Sequence, residues 1–341
     1  MSKLTIYAKI LSVQDFGIYS WVLSGYMFVM YAGSFGLNDA LVKQGSIAFG
    51  KGEPEGTQEL YGLAVLYSTF GVFIIASTTL VFAFLYAEDA SVKQAFILMG
   101  ILAFGTLEFN LVNSYLRVNH KFVTLSFMLF IKSGLVVLLA WYFAPRFGVN
   151  GVVILETAIF LLLAGTVLYF NRPNFDFKKI LKGHVFFKKT IKHGMPIMVA
   201  SVIRNLTLNL DRWVMIGSLG VIALAKYAFA MIFYQAGMVG ISFISTILGT
   251  RWLADYGRDA SLDAMISKIT QIMVVGSITA LLVAWPVLTL ISYVVELHYE
   301  NYAGEDFNLT MVFIYFGVVF LTLSSLVDWL FIASSNEKIL L

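Results

Sequence analysis

Nine stretches of this chain are apolar over a length that crosses a membrane: residues 17–38, 61–86, 94–116, 122–144, 149–170, 194–219, 222–250, 270–295 and 309–333. A hydrocarbon core of about 30 Å takes roughly 20 such residues in a helix, and a helix satisfies its backbone polar groups internally where no water can. The pattern therefore predicts an all-α integral membrane protein. Composition agrees. Of 341 residues, 59% are hydrophobic and only 13% charged, whereas soluble domains hold roughly 45–50% apolar residues.

The connections between these stretches alternate in charge. One alternating set, 39–60, 117–121, 171–193, 251–269 and 334–341, holds fifteen Lys and Arg, and the other, 87–93, 145–148, 220–226 and 296–308, holds three. Positive charge stays on the cytoplasmic side, so the first set is predicted to be cytoplasmic. Seven of the fifteen, from Arg172 to Lys192, fall in 171–193. That segment reads as a basic cytoplasmic linker that sets topology and holds anionic lipid, with Ile180, Leu181, Val185, Phe186 and Phe187 in the interface.

An internal repeat divides the chain. QDFGIYSWVLSGYMF (14–28) resembles IALAKYAFAMIFYQA (222–236), with Tyr19 over Tyr227 at an offset of 208. AFGKGE (48–53) resembles DYGRDA (255–260) at an offset of 207, and RVNHK (117–121) resembles SSNEK (334–338) at 217, which requires a short insertion in the second half. Parallel repeats of this kind are a known transporter plan. They give an N-terminal helical bundle over 1–170, the linker at 171–193 and a C-terminal bundle over 194–341. Nine spans with a cytoplasmic C-terminus would leave Met1 outside. With the repeat register, this predicts an intact protein of two pseudo-symmetric six-helix bundles, having one further N-terminal span and about two further C-terminal ones.

The stretch 194–219 carries charges inside its apolar run. Ser201, Arg204, Asn205, Asp211 and Arg212 are related by steps of three, four and seven, so they share one helical face, with Asn209 at its edge. Such a face is costly in hydrocarbon. It either locks packing through an Arg204–Asp211 type of pairing or lines a lumen with net positive charge that receives an anionic substrate. Lys132, mid-stretch in 122–144, is a third basic candidate for the lumen, because ammonium and guanidinium groups suit phosphate oxygens. Glu108, Glu156 and Asp328 are the acidic counterparts, held by hydrogen bonds within the bundle or, for Glu156 and Asp328, serving as coupling-ion candidates. Asn110, Asn113 and Arg117 share a face on the third stretch, as do Ser20, Ser24, Tyr31, Ser34 and Asn38 on the first. Pro286 lacks the amide hydrogen that would bond residue 282 and is a candidate hinge, while Pro196 sits where a helix tolerates it.

Enzyme signatures are missing. The chain has no cysteine, its four histidines show no metal-ligand spacing, and Gly50-Lys51-Gly52 is too short for a phosphate-binding loop. No catalytic residue, metal or cofactor is expected, and neither is nucleic-acid binding.

The residues also carry a resemblance. IYAKILSVQDFGIYSW resembles the opening of bacterial polysaccharide (O-antigen repeat-unit) flippases through Ala8, Leu11, Ser12, Asp15, Phe16, Gly17 and Tyr19. The segment from Lys192 to Ala230 is similar to the same family's seventh and eighth spans, with Gly194, Pro196, Asp211, Arg212, Tyr227 and Ala230 in matching places. The family lies in the multidrug/oligosaccharidyl-lipid/polysaccharide exporter superfamily. The resemblance implies a multi-pass protein of the bacterial inner membrane that moves polyprenyl-pyrophosphate-linked oligosaccharide to the outer leaflet by alternating access. Surface polysaccharide such as the O-antigen of lipopolysaccharide would be the product, with membrane lipids and a glycan polymerase or other assembly proteins as partners. Two alternatives stay open: a cation-coupled multidrug exporter of the same superfamily, and a non-transporting membrane component of glycan assembly.

Overall fold

The structure, a computed structural model, describes residues 2–50, 54–86, 90–171, 184–259 and 262–333. Among them every element is helical: α1 Ser2–Ile10, α2 Val13–Ser34, α3 Leu37–Gly50, α4 Pro54–Tyr86, α5 Ala90–Val118, α6 Phe122–Asn171, α7 His184–Asp259, α8 Leu262–His298, a 3-10 turn Glu300–Tyr302, and α9 Glu305–Ala333. Among the described residues six helical segments are long and apolar enough to cross a membrane: Leu60–Leu85, Ala90–Val118, Phe122–Phe170, Met198–Val239, Asp263–His298 and Glu305–Val327. Two of these, of 49 and 42 residues, are about twice the length a bilayer needs.

Each of the two breaks at one glycine. Gly148 in α6 (φ 56°) and Gly220 in α7 (φ 81°) adopt positive φ, a conformation that a side chain makes costly. Each helix is thereby split into two limbs, and the breaks fall between the apolar stretches marked above. Pro286, the candidate hinge, lies inside α8.

Local chemistry sets the other ends. Ser12 caps α2, accepting from the Asp15 amide at 3.0 Å. The stretch marked 17–38 is not one helix. It ends at Ser34, turns through Phe35 (φ 50°) and Gly36, and restarts as the short α3, which hydropathy alone hid. Pro54 opens α4, where its missing amide hydrogen costs nothing. The linker expected over 171–193 is helical from His184 onward, because Lys-rich sequence has ample helix propensity; its residues 172–183 lie outside the described residues.

The α7 break falls in the repeat register: Val221, the first residue after Gly220, follows Val13, the first residue of α2, by 208 residues.

Packing divides the chain into two compact units, residues 10–225 and residues 1–9 with 226–341. The first limb of α7 thus groups with α2–α6. In the larger unit α5 is central, contacting α2, α3, α4 and α6. Small residues allow the close crossings: a Cβ on Gly33 would lie 2.5 Å from the Val72 Cα, and one on Gly71 2.0 Å from the Gly33 carbonyl oxygen. In the smaller unit α8 packs on α9, Tyr315 donates to the Ala280 carbonyl at 2.6 Å, and Trp252, Met265, Ile269 and Leu326 form an apolar core. Phe229 there stacks on Tyr302, with centroids 4.5 Å apart, and also meets Tyr299 and Phe307.

Candidate functional site

The first turns of α2 hold the larger unit's interior in register. Ser12 Oγ, besides capping, donates to Asp15 Oδ2 at 3.0 Å. Asp15 in turn abuts the α6 break, where a Cβ on Gly148 would stand 2.9 Å from that same oxygen. Half a turn later Gly17 abuts the α7 break, where a Cβ would fall 2.4 Å from the Val221 carbonyl oxygen. Both inter-limb corners therefore rest on one end of α2. Tyr19, half a turn further, donates its hydroxyl to Glu156 Oε1 at 2.8 Å, and both side chains are sealed from solvent. Ser12, Asp15, Gly17 and Tyr19 of the N-terminal motif thus each acquire a physical task.

A polar seam continues along α2 and into α3. Asn205 on α7 donates to Met27 Sδ at 3.4 Å, and Asn110 on α5 donates to Met30 Sδ at 3.5 Å. Ser114 donates to Asn38 Oδ1 at 2.8 Å. Of the two polar faces expected on the first and third stretches, Asn110 bonds Met30 and Asn38 bonds Ser114, while Ser20, Ser24 and Ser34 donate to carbonyls of their own helix and Arg117 is exposed. Thr69 donates to Glu108 on the α4–α5 contact. Two buried polar atoms in this interior, Trp21 Nε1 and Asn113 Oδ1, have no hydrogen-bond partner among the described residues. Trp21 stands edge-on to Trp213 of α7 at 6.3 Å.

The structure distributes the charged candidates unevenly. On the first limb of α7, Asn205 is buried against α2, Asp211 and Arg212 are half-buried, and Arg204 is exposed. The expected stripe is therefore split, with its Asn205 and Asn209 line turned into packing; Asn209 donates to the Asn205 carbonyl at 3.0 Å. Lys132 is half-buried on the first limb of α6, its Nζ lying 4.7 Å from the Phe109 ring centre and 5.2 Å from that of Phe160. Those rings satisfy part of its charge. Asp328 falls in α9, but its side chain lies outside the described residues, and Pro286 is exposed on α8.

Hydropathy and helical steps did not identify Tyr19 as the partner of Glu156, Thr69 as the partner of Glu108, or the glycines at the two breaks. Tyr19 had a signal, since it is the anchor of the repeat. The other pairings join residues far apart in sequence and left none.

A profile of the polysaccharide biosynthesis protein family matches residues 3–252. Among solved structures the chain is similar to the inward-facing conformation of a multidrug resistance MATE family transporter of the MOP superfamily. Identity is 14% and the TM-score 0.63, over 99% of this chain and 82% of that one. It is also similar to an outward-facing conformation of a MATE family transporter of the same superfamily, at 14% identity and a TM-score of 0.51, over 98% and 78% of the two chains. At that identity the likeness is one of fold. No curated protein matches the sequence.

Proposed function

We propose that this chain, which belongs to the polysaccharide biosynthesis protein family, is a flippase that carries polyprenyl-pyrophosphate-linked oligosaccharide from the cytoplasmic to the outer leaflet of a bacterial inner membrane. Its fold, that of a MOP-superfamily transporter, is compatible with such traffic. Alternating access moves the sugar and pyrophosphate through a polar interior while the polyprenyl tail stays in lipid. A glycan polymerase and other assembly proteins take up the product, which becomes surface polysaccharide.

The observation that carries this reading is Arg204, an exposed cation within the span Met198–Val239, beside the buried Asn205. An arginine at that depth is tolerated where it meets water or an anion, and its planar fork suits pyrophosphate oxygens. Arg212 and Lys132 supplement it, and Asp211 limits the excess charge. Glu156, buried beside the Tyr19 hydroxyl, is the coupling group: proton or cation exchange on its carboxylate is communicated to α2 through that bond. Asp328 is a second such group, and Pro286 a hinge in the other unit.

The test supplies the protein to cells lacking their own flippase but carrying a matched glycan pathway. Arg204→Glu is expected to lower surface glycan by about 10- to 100-fold, the loss of one charge-assisted contact of roughly 1.5–3 kcal/mol. Unchanged glycan with Arg204→Glu and Arg212→Glu both present overturns the basic-lumen reading. The half-buried Glu108 and the buried Glu156 also favour a second reading, cation-coupled multidrug export. Efflux of cationic dyes that is abolished by Glu156→Gln, with no glycan restored, selects it.

A further inference from the structure

On the outer flank of the larger unit, α4, α5 and the second limb of α6 leave a recess of about 350 Å³ that the transport reading does not use. Ala76, Leu80, Phe96, Gly100, Phe104 and Thr157 line it. It exists because small residues meet there: a Cβ on Gly100 would touch only the Ala76 Cβ, at 3.2 Å. Its rim is exposed and apolar at Phe73 and Ile97.

A charge lies one turn beyond one end of the recess. Lys93 precedes Phe96, Ile97, Gly100 and Phe104 by three, four, seven and eleven residues, so it continues the same face of α5 by one turn. Phe84 likewise continues the α4 wall four residues past Leu80. The two meet one turn beyond the recess lining, with Lys93 Nζ 5.7 Å from the Phe84 ring centre. From Lys93 to Phe104 the helix rises about 16 Å, which is about half of a roughly 30 Å hydrocarbon core. The recess itself is apolar, and a chain half a bilayer long laid in it would reach Lys93 one turn beyond its lining.

We propose that this recess binds one acyl chain of an anionic bilayer phospholipid, whose phosphate is held by Lys93. A single lysine near a membrane surface favours anionic over zwitterionic headgroups by about five-fold. The small side chains at Ala76 and Gly100 give the chain a fixed seat instead of a smooth helix surface.

The full chain in phosphatidylcholine discs, doped with phosphatidylglycerol bearing a mid-chain diazirine, is illuminated and its adducts are mapped by mass spectrometry. Adducts are expected to concentrate in 72–80 and 96–104. Lys93→Gln is expected to cut phosphatidylglycerol adducts there by about five-fold and to leave adducts of a matched phosphatidylcholine probe unchanged. Gly100→Leu fills the recess and is expected to remove adducts of both probes. Three results each overturn the proposal: adducts as frequent on the exposed face of α8 at 274–285 as in the recess, a phosphatidylglycerol preference indifferent to Lys93→Gln, or displacement of phosphatidylglycerol by trace polyprenyl phosphate. Lys93 is partly exposed and lies outside the recess lining, so its variant reports even where Gly100→Leu fails to fold.

Discussion

The two packing units share a helical register but differ in what they bury. Every buried polar side chain among the described residues lies between Ser20 and Asn205 in the larger unit: four serines, Thr157, Asn113, Glu156 and Asn205, with Ser114 beside Asn113. In the smaller unit the buried side chains are apolar or aromatic, gathered around Phe229 and Tyr302 at one end and Trp252 at the other. Tyr19 meets a carboxylate in the first half, whereas the helices that repeat its surroundings pack rings. Between helices in lipid the hydrophobic effect supplies little, and packing and hydrogen bonds do the work. At the membrane edge, by contrast, ring burial regains its aqueous strength. One repeat thus has a polar, specifically bonded interior, and the other an apolar one anchored at its margin.

The comparison breaks most visibly at Tyr302. It lies in the connection between α8 and α9, outside the spanning segments, and is almost wholly buried against Phe229. Tyr302→Ala should cost about 3–5 kcal/mol, the range for truncating a buried ring, read as a lower melting temperature and faster proteolysis after α8. If Tyr302→Ala and Glu156→Ala destabilise equally, the contrast between an aromatic anchor and a hydrogen-bonded interior fails.

In the polar half the matching variant is Glu156→Ala, which leaves the buried Tyr19 hydroxyl without this acceptor and should cost about 1–3 kcal/mol. Glu156→Gln retains an acceptor oxygen and should melt within about 1 kcal/mol of the parent, while the coupling role proposed for this side chain predicts that transport falls. Transport surviving Glu156→Gln would reduce this residue to a packing role.

The sequence made the architecture legible because hydropathy reports which residues face lipid, and the break positions fall in short polar gaps such as Pro145–Gly148. It also made the repeat legible, with Tyr19 and Tyr227 in register. What it hid follows from physics. The short helix α3 carries Asn38, Asp39, Lys43 and Gln44 and makes no hydropathy peak. On the α7 stripe, helical steps showed that Arg204 and Asn205 neighbour one another. They could not show that α2 covers one and leaves the other exposed, since that depends on where α2 crosses.

Close helix approach separates the halves more finely. A Cβ on Gly71 would run into the Gly33 carbonyl oxygen at 2.0 Å, an immovable backbone atom, whereas one on Gly237 would meet the Val318 Cγ1 at 2.7 Å, the end of a side chain. Gly71→Ala is therefore expected to destabilise by about 1–3 kcal/mol, as overpacking does, and Gly237→Ala by clearly less. Equal shifts in melting temperature would show that the α2–α4 crossing yields as easily as the contact between α7 and α9.

The smallest expected effect is a pH dependence confined to the aromatic anchor. Burial pushes the phenol of Tyr302 up from its ordinary value near 10, and that of Tyr299 in the same direction. A phenol that loses its proton less readily when folded contributes stability that is complete below the unfolded value. That contribution is lost as pH rises toward the folded one. The parent should therefore lose stability above about pH 10, with tyrosinate absorbance from Tyr302 appearing only as the anchor opens. Tyr302→Phe keeps the stack on Phe229, so at neutral pH it should change stability by less than about 1 kcal/mol while flattening the alkaline fall. Because Tyr299 remains, the flattening should be partial. A variant that falls as steeply as the parent would mean that the alkaline loss arises elsewhere, and that the ring at 302 is held by its shape alone.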